Sequence, residues 1–185
     1  MRWRYRDNCV HPPGKQSNIF VAAFTTAHGR LKLYDCLEKL QERVLYIDTD
    51  SLIYVVKEGE TPLEVGNYLG DLTDELDSDS IQEFVAAGPK SYAYQTRSKR
   101  KVVMRVKGIT QTQECCELVN FDSVRELVEG YIQNSRQGVI EVPQHTITRD
   151  KRGFVLKNLS FRKKFRVVYD KRRLFADGTT LPFGY

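Results

Sequence analysis

The sequence predicts an α+β fold built around antiparallel sheet. A long helix-like segment comes first, and two pairs of short β-rich segments follow, each pair joined by a polar turn. Short turns connect antiparallel strands, whereas parallel strands need long crossovers. With 185 residues, 41% of them hydrophobic and 11% aromatic, the chain is long enough to bury one core and a second small lobe.

The first predicted element is a helix over residues 17–42. Ser17 or Asn18 offers an N-terminal cap, and apolar residues then recur at spacings of three and four as far as Leu40. This length corresponds to about six helical turns. The periodicity predicts that one face of the helix packs against the rest of the fold.

Two hairpins are predicted next, over residues 44–56 and 81–106. Both are rich in β-branched and aromatic residues, and Asp48-Thr49-Asp50-Ser51 forms the polar turn of the first. The turn of the second is the basic run 97–101. We expect both hairpins to join one antiparallel sheet, backed by the long helix.

The composition changes near residue 110, which we take as a domain boundary. A helix is predicted over residues 119–131, with Asp122 as its candidate cap. Short strands are predicted near residues 154–156 and 165–169.

Charge and cysteine content limit the function classes. Lys and Arg outnumber the acids 29 to 24, and the net charge of +5 fits a polyanionic partner. The four cysteines show no CxxC spacing, which indicates neither a zinc site nor a disulfide framework. No segment approaches the roughly 20 apolar residues of a membrane span. We therefore expect an intracellular protein without a membrane partner, and residues 97–101 leave a nuclear location open.

Asp48 and Asp50 are the strongest candidates for chemistry. Two carboxylates at positions i and i+2 of a tight turn between buried strands are suited to a hard divalent cation such as Mg²⁺. In nucleotidyl transfer, two such metals activate the attacking oxygen and neutralise the leaving group. The alternative is ordinary turn chemistry, because Asp, Thr and Ser all favour turns.

The context of the turn favours the metal site. Tyr46-Ile47-Asp48-Thr49-Asp50-Ser51, inside a hydrophobic hairpin, resembles motif C of family B DNA polymerases. The preceding segment, residues 18–34, is similar to the palm helix of protein-primed viral, organellar and Polinton-type members. Gly88-Pro89-Lys90-Ser91-Tyr92 resembles the KxY motif of the family, and residues 179–185 are similar to the C-terminal end of Polinton-type enzymes. The resemblance runs from about residue 3 to the end and is sharpest over residues 17–109.

The resemblance implies a catalytic role for the turn. Asp50 would be the principal ligand of two Mg²⁺ ions, and Asp48 a weaker or second-shell ligand. Tyr46, Thr49 and Ser51 would frame the motif. The expected substrates are deoxynucleoside triphosphates and a DNA primer-template, and a terminal priming protein is left open as a further partner.

The resemblance also implies DNA contacts. Lys90 would reach a primer or template phosphate, with Tyr92 packing or hydrogen-bonding beside it. Residues 1–109 would form part of the palm, and residues 110–185 the thumb and C-terminal segment. In the thumb, Arg162, Lys163 and Lys164 are interleaved with aromatic residues, a texture typical of nucleic-acid-binding surfaces.

Two family motifs do not occur in these 185 residues: motif A, a DxxSLYPS-like strand with the other metal-binding aspartate, and motif B, a KxxxNSxYG-like helix that binds the nucleotide. We therefore expect the C-terminal portion of a polymerase, inactive alone, whose remaining motifs lie upstream. One alternative is a non-catalytic DNA-binding module derived from a transposon polymerase. Another is a turn-rich α+β protein without a DNA role.

Overall fold

A computed structural model describes residues 18–134, 138–169, 172–174 and 180–182. It contains helices and antiparallel sheets, which confirms the predicted α+β class. The chain forms two compact units, which divide between Glu75 and Leu76.

Helix α1 (Ile19–Leu40) opens the described part of the first unit. The side chain of Asn18 caps it by accepting a hydrogen bond from the Val21 N–H at 3.1 Å. A 3-10 turn (Gln41–Arg43) follows. The predicted helix is confirmed, but its expected packed face is short, because Cys36 and Leu40 are its only buried residues. Large apolar side chains are exposed on the rest of the helix: Ile19, Phe20, Val21, Phe24, Leu31 and Tyr34.

Strands β1 (Val44–Asp48) and β2 (Ser51–Tyr54) form the first predicted hairpin. Arg43 ties this hairpin to the chain that follows it. Its carbonyl accepts a hydrogen bond from the Val55 N–H at 2.9 Å, and its guanidinium lies 3.2 Å from the Glu60 carboxylate.

The second unit begins with a three-stranded antiparallel sheet, which consists of β3 (Ile81–Gly88), β4 (Ser91–Thr96) and β5 (Val102–Arg105). The expectation that both hairpins share one sheet is wrong for the described strands, because β1 and β2 form a separate two-stranded sheet. Strand β4 has β3 and β5 as its neighbours. Both pairings are local in sequence, so they close short loops at little entropic cost.

Helices α2 (Gln113–Leu118) and α3 (Phe121–Asn134) follow. The predicted cap of the second helix is wrong, because Asn120 caps α3 and Asp122 lies in its first turn. The Asn120 side chain accepts from the Ser123 N–H at 2.9 Å, and the Ser123 hydroxyl accepts from the Asn120 N–H at 3.0 Å. This reciprocal pair forms a capping box, while Asp122 forms an ion pair with Arg125 at 3.0 Å.

A long hairpin replaces the short strands predicted after residue 150. Strands β6 (Ile140–Asp150) and β7 (Val155–Phe165) pair over 11 residues each, a length of about 36 Å. Most of β7 is exposed and polar, so its sequence lacks the continuous apolar run that predicts a strand. Two short strands, β8 (Arg172–Leu174) and β9 (Thr180–Pro182), pair with each other.

One hydrophobic core holds the second unit together. It joins the β3–β5 sheet to both helices and to the base of the β6–β7 hairpin. Its buried members are Val85, Ala87, Ala93, Cys115, Val119, Phe121, Val124, Val128, Val142, Phe165 and Val167. The core therefore contains residues on both sides of position 110, and the palm and thumb assignment on either side of that position stays a prediction.

The capping box gives the first testable prediction. Asn120→Ala should lower the free energy of unfolding by about 1 kcal/mol, because the Ser123 N–H at the start of α3 loses its acceptor and the Glu117 carbonyl loses the Asn120 side-chain donor. Asp122→Ala should cost less than about 0.5 kcal/mol, since it removes only an exposed ion pair. Urea unfolding followed by circular dichroism measures both. A larger loss for Asp122→Ala would show that we have misplaced the cap.

Candidate functional site

The carboxylate turn, residues 48–51, lies at the tip of the β1–β2 hairpin. Asp48 pairs with Ser51, which leaves Thr49 and Asp50 as a two-residue loop. Thr49 has a φ of 56°, the left-handed conformation that such tight hairpin loops require. The Asp48 carbonyl accepts from the Asp50 N–H at 2.6 Å and from the Ser51 hydroxyl at 3.2 Å. The backbone of the turn is therefore fixed by its own hydrogen bonds.

The two carboxylates of the turn differ in their environment. Asp48 is half-buried, and its Oδ1 accepts a hydrogen bond from the Thr49 hydroxyl at 3.0 Å. Asp50 is exposed at the tip. Tyr46 is half-buried and lies two residues before Asp48 on β1, so both project from the same face of the strand. The turn thus offers one carboxylate to solvent and holds the other in place.

Whether this turn can hold a cation depends on how many ligands the turn supplies. Mg²⁺ takes six oxygen ligands in near-octahedral geometry and usually keeps several waters. Asp48 and Asp50 supply carboxylate oxygens of the right kind, so waters, a substrate or other carboxylates would fill the remaining positions. In the part of the chain that the structure describes, no group of three or more His, Cys, Asp or Glu residues is placed to hold a metal ion.

The predicted KxY segment forms the turn between β3 and β4. Gly88 pairs with Ser91, which leaves Pro89 and Lys90 as the loop. Lys90 is exposed and has a φ of 57°. Tyr92 is half-buried on β4, where its ring stacks on that of Tyr94, with centroids 6.4 Å apart and an interplanar angle of 9°. Lys90 is therefore displayed at the tip, while Tyr92 belongs to a row of packed aromatic rings.

Gly88 allows the segment after β7 to lie directly against this turn. Its φ is 141°, and an added Cβ would lie 2.5 Å from the Val168 carbonyl oxygen. The Val168 N–H donates to the Ala87 carbonyl at 2.8 Å. Only a residue without a side chain fits this close approach of two backbones.

This close approach creates a groove in the second unit, which we name the cationic groove. It brings the predicted KxY turn next to the predicted basic segment, over 70 positions later in the chain. Lys163 donates a hydrogen bond to the Gly108 carbonyl, and its ammonium lies 5.5 Å from the centre of the Phe161 ring. The groove is lined by Gly88, Pro89, Ser91, Lys107, Gly108, Ile109, Lys163, Lys164, Phe165, Arg166 and Val168.

The three basic residues predicted to bind DNA project from both faces of β7. Lys163 projects from the same face as the buried Phe165, whereas Arg162 and Lys164 project from the opposite face. Arg162 lies 3.5 Å and Lys164 lies 3.8 Å from the Glu141 carboxylate. Both side chains are about 70% exposed, so these surface pairs leave the cations accessible to a partner.

Lys107 is a groove residue that the sequence did not reveal. It follows β5, apart from any basic cluster, and its N–H donates to the Ser91 hydroxyl at 3.2 Å. Its position beside the KxY turn depends on the pairing of β4 with β5, which no local signal around Lys107 predicts.

No protein-family model, curated protein or solved structure matches this chain. Within the described ranges, no helix is long and apolar enough to cross a membrane.

The Gly88 contact gives the second prediction. Gly88→Ala should lower the free energy of unfolding by more than about 2 kcal/mol, because the new Cβ is strained by the φ angle and would collide with the Val168 backbone. Gly108→Ala is the matched control, because Gly108 also has a positive φ, 73°, but open space around it. It should cost about 1 kcal/mol. Equal losses in urea unfolding would contradict a role for the close approach at Gly88.

Proposed function

We propose that this chain supplies the motif C carboxylates and the primer-holding turn of a family B DNA polymerase. The observation that carries the proposal is the carboxylate turn. Residues 46–51, which contain the turn, resemble the motif over six positions, and the backbone of the turn is fixed while Asp50 remains exposed at the tip. Ordinary turn chemistry explains the Asp, Thr and Ser residues, but it does not require the hydrophobic flanks or the long preceding helix.

In this function, the two carboxylates have separate tasks. Mg²⁺, when bound, would activate the primer 3′ oxygen and stabilise the pyrophosphate that leaves the deoxynucleoside triphosphate. Asp50 would be the principal ligand, because its carboxylate is exposed and accessible to a metal ion. Asp48 is limited to a weaker or indirect role, since Thr49 already donates to one of its oxygens. A carboxylate from a motif A strand would complete the site, so we expect no primer extension by this chain alone.

The cationic groove provides the second part of the proposed function. Lysine and arginine side chains that line one groove are suited to a phosphate backbone, and such contacts position DNA without reading its sequence. Lys90 would approach a primer or template phosphate from the adjoining turn, which the packing of Tyr92 against Tyr94 keeps in place.

The β6–β7 hairpin would serve as the thumb in this proposal. Its distal half is exposed, and its residues 151–160 have little burial on either face. It carries Arg149, Lys151, Arg152 and Lys157 beyond the cations near its base. A two-stranded ribbon of this kind fits along the surface or in a groove of duplex DNA.

A non-catalytic DNA-binding module is the second candidate. The observation that favours it is the division of the chain into two units. The cationic groove and the long hairpin belong to the unit from Leu76 onward, which has its own core, and the carboxylate turn belongs to the other. DNA binding by the second unit would then need no metal-binding carboxylates.

Metal binding at the carboxylate turn separates these candidates. Paramagnetic Mn²⁺ replaces Mg²⁺ well at oxygen sites. Residues 71–79 contain five acidic side chains and serve as the internal comparison. Trace Mn²⁺ should broaden the backbone NMR signals of residues 49–51 before those of residues 71–79. Asp50→Asn should abolish this preference, because it removes the accessible carboxylate. Asp35→Asn makes the same charge change on α1 and should leave the preference intact.

If residues 49–51 broaden no more than residues 71–79, the carboxylate turn does not by itself select a divalent cation, and the proposed role of Asp50 as principal ligand fails. Salt-dependent DNA binding that persists in Asp50→Asn, together with that result, would support the non-catalytic module.

A further inference from the structure

The turn between β4 and β5 carries a group of cations that the proposed function does not use. This basic turn, residues 97–101, contains four exposed cationic side chains. They are Arg97, Lys99, Arg100 and Lys101. A run of this kind in a sequence is equally typical of a nuclear localisation signal, a DNA-backbone contact and a solvated turn.

The carboxylate of Asp79 fixes the basic turn. It accepts hydrogen bonds from the N–H groups of Ser98 at 3.0 Å, Lys99 at 3.1 Å and Ser80 at 2.8 Å. These bonds, led by the one from Ser98, hold the pKa of Asp79 well below its usual range. Asp79 is therefore charged at neutral pH, and its carboxylate holds the backbone of the basic turn in place through these hydrogen bonds.

Further bonds close the turn at its base. The Thr96 N–H donates to the Lys101 carbonyl at 3.0 Å, and the Lys101 N–H donates to the Thr96 hydroxyl at 3.1 Å. Arg100 has a φ of 53°, so the chain reverses direction within the basic run. An extended peptide conformation would break all these bonds, including those to Asp79.

We infer that the basic turn binds the phosphate backbone of DNA in its folded conformation, as a second contact besides the cationic groove. A localisation signal that is read as an extended peptide would first have to overcome the bonds to Asp79 and Thr96. Phosphates, in contrast, are bound by any fixed display of cations and need no unfolding. This inference rests on the DNA-binding part of the proposed function.

The sheet sets the spacing of the two contacts. The KxY turn and the basic turn lie at opposite ends of β4, whose six residues span about 20 Å. Each strand of duplex DNA carries one phosphate per about 3.4 Å of helix axis, so this separation, laid along the axis, corresponds to about six nucleotides. The basic turn would therefore lengthen the stretch of backbone that the second unit contacts.

Duplex binding by the whole chain, measured by fluorescence anisotropy between 50 and 200 mM salt (about a fourfold range), tests the inference. The turn variant is Arg97→Gln, Arg100→Gln and Lys101→Gln, which leaves Lys99 and its contact with Asp77 at 3.6 Å unchanged. Each lost phosphate contact lowers the slope of log affinity against log salt by about 0.9, so the slope should fall by about 2 to 3.

The matched control loses three exposed cations elsewhere: Arg30→Gln, Lys39→Gln and Lys57→Gln. It should keep the slope within about 0.5 of the wild-type value, since fewer than one phosphate contact is lost. Equal slopes for the turn variant and this control would overturn the inference. They would do so even if the turn variant no longer bound a nuclear import receptor, because the turn would then act as a localisation signal and not as a DNA contact.

Asp79→Ala separates a contact that needs the folded turn from a simple effect of charge, because the two predict opposite changes in DNA affinity. It raises the net charge by one, so charge alone predicts tighter DNA binding. A contact that needs the folded turn predicts weaker binding and a smaller slope, because the cations lose their fixed arrangement. Tighter binding by this variant would contradict the inference.

Failure of the inference is distinguishable from failure of the proposed function. Lys90→Gln with Lys163→Gln removes cations at and beside the groove, and it should reduce the slope by about 1 to 2. A reduced slope in this variant, with no effect of the turn variant, would leave groove binding intact and reject the basic turn alone. Wild-type protein without salt-dependent binding would reject both.

Discussion

The hydrogen bond between the Val168 N–H and the Ala87 carbonyl is the contact on which the cationic groove depends. It joins the segment after β7 to the last residues of β3. The side chains of Ala87 and of Val167, the residue before Val168, are buried in the core. Gly88 makes the contact possible because it has no side chain. The cationic groove is a consequence, since this contact brings the KxY turn beside the basic end of β7.

The carboxylate turn follows a different constraint. The prediction that its flanking strands are buried is wrong, because β1 and β2 contain no fully buried residue, so the turn is held by its own hydrogen bonds. Thr49 adopts the left-handed conformation that the two-residue loop needs, and the Asp48 carbonyl accepts the two bonds that close it. The result is a fixed turn that separates a tethered carboxylate, Asp48, from an accessible one, Asp50. This difference supports unequal roles for them in metal binding.

Features with local causes were predictable from the sequence. Asn18 as a cap, helix α1 and the hairpin turn at Asp48–Ser51 depend on neighbouring residues and agree with the prediction. The cationic groove was not predictable, because it depends on contacts between segments more than 70 positions apart. The predicted cap of α3 at Asp122 is wrong because capping preference alone does not distinguish Asp122 from Asn120, two positions earlier. The β6–β7 hairpin was underestimated because exposed, polar strands lack an apolar pattern.

If the carboxylate turn is half of a polymerase metal site, the other half must be encoded together with it, and the sequence of the full transcript tests this most directly. We predict that the transcript also encodes a DxxSLYPS-like strand with the second metal-binding aspartate and a KxxxNSxYG-like helix with a lysine for the nucleotide. If the transcript encodes neither motif, Asp48 and Asp50 lack the partners that two-metal nucleotidyl transfer requires, and the proposed metal site is wrong.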